Sequence, residues 1–165
     1  MGLTYKTRRY IFLAFVLFII VGISTAKVLG SKQDEKYLTQ YTYYQQAQQL
    51  VAEANYTEAD KYLHELLLEQ PNSEALNYLA GLTSAKLGDF GKAAILMQKT
   101  LDINPYKVED AMFMLQFGEI LLNSERYADA KIVLTRCQEV GWEPEEFPDY
   151  QQRITELLVQ IEELS

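Results

Sequence analysis

His64 and Cys137 are the only histidine and the only cysteine in 165 residues. A metal site needs three or four His, Cys or carboxylate ligands at set spacing. A side-chain nucleophile needs a base within hydrogen-bond reach and a third group to orient that base. Neither residue has such companions. His64 reads as a surface residue of an amphipathic stretch, and Cys137 as a small buried sulfur whose isolation excludes an intrachain disulfide. No glycine-rich loop could cradle a phosphate, and no mixed cluster of His, Cys and Asp is present. The sequence thus offers no catalytic, metal-binding or cofactor-binding residue and reads as a non-enzyme.

Charge narrows the partners. Residues 1 to 30 hold four basic side chains (Lys6, Arg8, Arg9, Lys27) and no acid, so the other 11 basic and 23 acidic residues leave residues 31 to 165 at −12. Such a surface repels nucleic acid, and a protein partner is expected instead.

Tyr10 to Ala26, YIFLAFVLFIIVGISTA, holds 17 residues without a charge. If Lys27 snorkels, the apolar segment extends to Gly30, close to the ~20 residues a bilayer core requires. Three segments are expected: a basic tail over 1–9, a transmembrane anchor over 10–30 and a folded domain over 31–165. Arg8 and Arg9 place the N-terminus in the cytoplasm and the folded domain outside it, which makes a single-pass membrane protein with membrane-associated partners. The alternatives are a cleaved signal with a secreted product, since Ser24 and Ala26 suit a cleavage site, and a folded domain facing the cytosol. Gly22, Ala26 and Gly30 recur every fourth residue as a smooth ridge suited to membrane-helix packing. Gly30-Ser31 reads as the hinge, and Ser31 with Asp34 as a cap for a helix starting near Lys32.

Beyond that hinge the chain repeats itself. Glu74 to Lys107 matches Gln40 to Ser73 at a period of 34, with Tyr56 over Phe90, Ala59 over Ala93, Leu67 over Leu101 and Pro71 over Pro105. A step of 37 gives a third unit with Phe117, Gly118, Leu121, Tyr127, Ala130, Leu134 and Cys137. A small residue at position 8, an aromatic at 17, Ala at 20 and Pro at 32 make a helix-turn-helix pattern, because only small side chains let two helices cross closely. In these residues the chain resembles the tetratricopeptide-repeat family.

The elements follow from the pattern. Units are expected at about 40–73, 74–107 and 111–144, closed by a capping helix at about 149–163 whose Ile154, Leu157, Leu158 and Ile161 share one face. The fold class is all-α: an N-terminal transmembrane helix, an α-solenoid of three units and the cap.

What the resemblance implies is binding. In that family the first helix of each unit lines a concave groove, which here gives Tyr41, Tyr44, Gln48, Tyr78, Leu82, Lys86, Leu115 and Glu119 as protein-binding residues. Val51, Ala75, Met112 and Leu122 complete the strip. Family members that clamp a C-terminal carboxylate use Lys, Asn and Arg at positions held here by Tyr44, Gln48, Met112 and Gln116, so that mode is not expected. The function expected is a membrane-anchored interaction module, a scaffold or an assembly and quality-control factor binding a peptide or helix. The alternative is a structural accessory subunit of a membrane complex.

Overall fold

The computed structural model describes residues 5–164, without the side chains of 6–8, 13 and 24–33, and every regular element in it is helical. In chain order these are α1 (Tyr5–Ala52), α2 (Tyr56–Glu69), α3 (Glu74–Lys86), α4 (Phe90–Ile103), α5 (Ala111–Asn123), α6 (Tyr127–Val140) and α7 (Tyr150–Leu164). A 3-10 helix, Pro105–Glu109, stands between α4 and α5. The chain divides into two compact units, Met1–Thr42 and Tyr43–Ser165.

The single-pass membrane assignment is corrected here, and with it the placing of the repeats outside the cytoplasm. Among the described residues no helix is long and apolar enough to cross a membrane. The uncharged run is 17 residues between Arg9 and Lys27, which at 1.5 Å per residue spans about 26 Å and falls short of a hydrocarbon core of ~30 Å. The expected hinge is also absent. Gly30 and Ser31 lie inside the continuous helix α1, as a single glycine can at a cost of ~1 kcal/mol. Tyr10, Phe12, Phe15, Leu17 and Phe18 of that helix are exposed. Of the ridge, a Cβ built on Gly22 meets nothing within 4 Å, and the side chains at Ala26 and Gly30 lie outside those described.

The second unit is built of helix pairs, and the pair boundaries are written in its caps. Ser73, Asp89 and Asp110 each accept a hydrogen bond from the backbone N–H three residues on, at Leu76, Lys92 and Phe113, which satisfies a donor that a helix start leaves free. Gly88, between α3 and α4, adopts φ +82, where L side chains are strained. The turn at Ala54-Asn55 is made less comfortably, with Ala54 itself at φ 57. The expected terminal helix forms as α7, with Tyr150, Ile154, Leu157 and Ile161 buried.

Packing follows from the small residues. Ala47, Ala59, Ala80, Ala93 and Ala130 are all within 1 % of complete burial. Around them the core has two parts. Ala47, Leu63, Leu66, Leu76 and Ala80 form one, over the last turns of α1 with α2 and α3. The larger one runs from Ala93 and Met97 through the apolar helix α5 and Leu134 to the buried face of α7. Each helix pair presents an apolar face that it cannot cover alone, so the neighbouring pair completes it.

Gly118 is the tightest crossing. A Cβ there would lie 2.5 Å from Leu134 Cδ2 and 2.7 Å from its Cγ, whereas at Gly81 the nearest atom is Met97 Sδ at 3.1 Å. Replacing a mid-helix glycine by alanine gains about 1 kcal/mol of helix propensity, and overpacking costs about 1–3 kcal/mol. Gly118→Ala should therefore lower the melting temperature by several degrees while Gly81→Ala stays near neutral, because a methionine tip can swing aside. Equal melting of Gly118→Ala and the parent protein would show that the α5–α6 crossing is not close-packed.

Candidate functional site

The strip expected to bind is carried by the first helix of each pair, at spacings of three and four that keep its members on one side. From α1 come Tyr44 and Val51, both half-buried, and exposed Gln48; from α3 come half-buried Tyr78 and Leu82 with exposed Ala75 and Lys86. Tyr41 is 64 % exposed and belongs to the other compact unit. In α5 the strip changes character. Met112 and Glu119 are half-buried, but Leu115 and Leu122 are buried. They share their core cluster with Tyr150, Ile154, Leu157 and Ile161 of α7.

Two polar bridges cross between successive first helices. Tyr78 Oη donates to Gln116 Oε1 at 2.7 Å, joining α3 to α5. Arg153 reaches from α7 to Glu119 on α5, with Nη2 2.6 Å and Nε 2.8 Å from Oε1. Gln116 and Arg153 are one 37-residue step apart, so reading α7 as a further first helix would have found Arg153 in the sequence. Tyr44 and Tyr78 pack against different parts of the core, Tyr44 on the α1–α3 cluster and Tyr78 on the α5 cluster.

The 3-10 turn between α4 and α5 carries a residue that sequence periodicity missed. Lys107, in the 3-10 helix, places Nζ 5.2 Å from the Tyr78 ring centroid and 5.8 Å from that of Phe113. The two rings tilt together at 5.6 Å. The same ammonium pairs with Asp110 Oδ2 at 2.9 Å and Glu74 Oε1 at 3.6 Å. The lysine is thus held between an aromatic pair and two carboxylates, which joins the second repeat to the third. Burial, and after it the Asp110 charge, pushes the Tyr78 phenol up, so it stays a neutral hydrogen-bond donor.

The lone reactive side chains are placed as follows. His64 is exposed on α2. Cys137 is buried, and that burial raises its thiol pKa, keeping it a neutral S–H. Among the described residues no group of three His, Cys, Asp or Glu could hold a metal ion.

Asp110 makes the Lys107 joint sensitive to pH. Burial alone would raise its carboxyl, but the Phe113 N–H and then the Lys107 ammonium outweigh that and hold it below the usual carboxylate range. The hydrogen bond to Asp110, opposed by partial burial, raises Lys107. A depressed carboxyl stabilises the fold above its unfolded pKa of ~3.9, and the benefit is lost as pH falls through the folded value. A raised lysine contributes below ~10.4 and loses its contribution as pH climbs through its folded value. Asp110→Asn keeps the cap acceptor and removes the charge. It should cost about 0.5–1 kcal/mol at pH 7, the modest figure for a part-exposed pair. Melting curves should draw together with the parent's as pH falls below the usual carboxylate range and through the lowered pKa of the folded Asp110. A gap that stays unchanged until acid unfolds both proteins would mean the charge plays no part in the joint.

No protein-family model matches the chain, and no curated protein matches it. Solved structures do. The type III secretion chaperone SycD of Yersinia enterocolitica, in complex with a peptide of the translocator YopD, is similar with a TM-score of 0.62 and 19% identity over 76% of this chain and 94% of that one. The TPR2B domain of yeast Sti1 in its pHsp70 complex gives 0.60 at 15% identity over 76% and 98%. The first TPR domain of human RPAP3 gives 0.60 at 14% over 76% and 97%. At these identities the likeness establishes a fold, and that fold is the tetratricopeptide repeat.

Proposed function

We propose that the second unit is a protein-interaction module whose strip over α1 and α3 receives an extended or helical segment of another protein. The observation that carries this reading is the half-covered row Tyr44, Val51, Tyr78 and Leu82, which leaves aromatic and aliphatic surface facing solvent in the free protein. Aromatic side chains give large, rigid contact area with a polar tip, and they dominate the energetics of such interfaces. The YopD-peptide complex of SycD and the pHsp70 complex of Sti1 support the reading as uses of the same fold.

The third repeat contributes less. With Leu115 and Leu122 buried and Glu119 tied to Arg153, the usable strip ends near Tyr78 and Lys86. A bound segment would follow Tyr44, Gln48, Val51, Tyr78, Leu82 and Lys86, with the exposed Lys86 ammonium at its margin.

A photo-crosslinking residue installed at Gln48 or Lys86 should capture a discrete protein in the native host, and the same residue at Glu139, exposed on α6, should not. Tyr44→Ala should then weaken binding of the captured protein by about 2 kcal/mol, as loss of an aromatic anchor does. Tyr78→Phe, which keeps the ring and drops the Gln116 bond, should weaken it less. Equal capture from Glu139, or undiminished affinity in Tyr44→Ala, would overturn the assignment.

A further inference from the structure

The two compact units carry opposite charge. Residues 1–42 hold six basic and two acidic side chains, a net of +4, while residues 43–165 hold nine basic and 21 acidic ones, a net of −12. Each unit also shows apolar surface to solvent. In the first, the uncharged run between Arg9 and Lys27 has Phe15 63 % and Phe18 76 % exposed, and Ile11 is exposed as well. In the second, Tyr44, Val51, Tyr78 and Leu82 of the strip are only half-covered.

The two surfaces match in kind. Ile11, Phe15 and Phe18 follow at spacings of four and three, which puts them on one side of α1, and such a row is what a helix presents to an apolar groove. The run carries no charge, and of Tyr44, Gln48, Val51, Tyr78, Leu82 and Lys86 only the last does. Lys86 is exposed at the margin, where its ammonium keeps its water. Arg9 and Lys27 stand 18 residues apart, about 27 Å along a helix. The strip is only ~10–12 Å long on each helix, and two packed helices lie ~8–10 Å apart. Both basic flanks of a docked run therefore fall outside the strip, over the acidic body.

We propose that the strip of one copy receives the run between Arg9 and Lys27 of a second copy, so that two chains pair by exchanging their first units. The pairing rests on the strip being a binding surface, as proposed above, and names its occupant. Charge selects the arrangement. Run against run would set two units of +4 together and strip against strip two of −12, whereas run on strip brings opposite charges together. The run and Tyr44 belong to the same unbroken helix α1, so a chain cannot lay the run on its own strip while that helix is intact, and a second copy supplies it. Exchange closes as a two-fold dimer with two equal contacts and no open end.

The test uses the full chain. Sedimentation should give a dimer that weakens as salt rises. The double change Phe15→Asp with Phe18→Asp should weaken it at least tenfold, and so should Tyr44→Ala. Gln48→Lys, at an exposed position of the strip, should do the same while leaving the melting temperature within a degree or two of the parent's. Mixing the double variant with Tyr44→Ala should restore dimers, because one run and one strip remain intact, a result that run-on-run packing cannot give. A photo-crosslinking residue at Gln48 should join the stretch between Arg9 and Lys27 of the other copy. A monomeric chain, a dimer indifferent to both Tyr44→Ala and Gln48→Lys, or a monomer that binds phosphatidylcholine vesicles through the run would each overturn the proposal. Capture of a different protein at Gln48 by a monomeric chain would overturn it as well, and would leave the strip standing as a binding surface.

Discussion

The close approach of two helices at a residue without a side chain is the contact on which the repeat unit turns. Gly118 allows Leu134 to press against the α5 backbone, and α5 can then bury eight of its thirteen residues. A helix so nearly apolar all round is stable only when other elements enclose it. α4, α6 and α7 do so, and this is why the larger part of the core is assembled around α5. The first pair has a thinner cluster of five buried residues. Stability in a repeat array is roughly a sum of neighbour terms, so the end of the unit that includes Tyr44 rests on fewer of them than the end that holds Tyr150.

The inserted step between the second and third pairs shows how the array accommodates an irregularity. Three extra residues would shift the next pair out of line unless something fixed the new spacing. Pro105 starts a short 3-10 turn that takes up the length, Asn104 accepts from the Tyr106 N–H, and Lys107 ties that turn to Glu74 at one side and Asp110 at the other. Because Asp110 also caps α5, the start of the most buried helix and the spacing of the units are set by one carboxylate.

Much of this was legible in the residues themselves. Small residues at 47, 59, 81, 93, 118 and 130, aromatics at the second-helix starts and the prolines located the helix pairs, because those positions are dictated by how closely two helices can cross. The burial of Leu115 and Leu122 was legible only as an alternative, since a C-terminal helix can either cap the array or fill the strip. Both occupy positions that lie open when no further helix follows, and only the placement of α7 in register with the earlier first helices decides that they are enclosed. Lys107 escaped because it is the last residue of its repeat, outside the positions whose size the helix crossings dictate. The apolar run at the start misled through composition: its hydrophobicity was plain, but the length between Arg9 and Lys27 and the uninterrupted course of α1 were the deciding quantities.

The seat of Trp142 has a practical side. It is the only tryptophan in the chain, and its indole lies edge-on to Tyr150 at 6.5 Å, with Phe147 on the same tyrosine at 6.4 Å. Tyr150 is fully buried and bonds the Ala111 carbonyl at 2.9 Å, so the indole environment changes as soon as α7 lifts from α5. Repeat arrays open from their ends before they melt as a whole. Intrinsic fluorescence excited at the indole therefore follows the undocking of the last helix on its own, while circular dichroism follows the array, and the gap between the two transitions measures how cooperative the solenoid is.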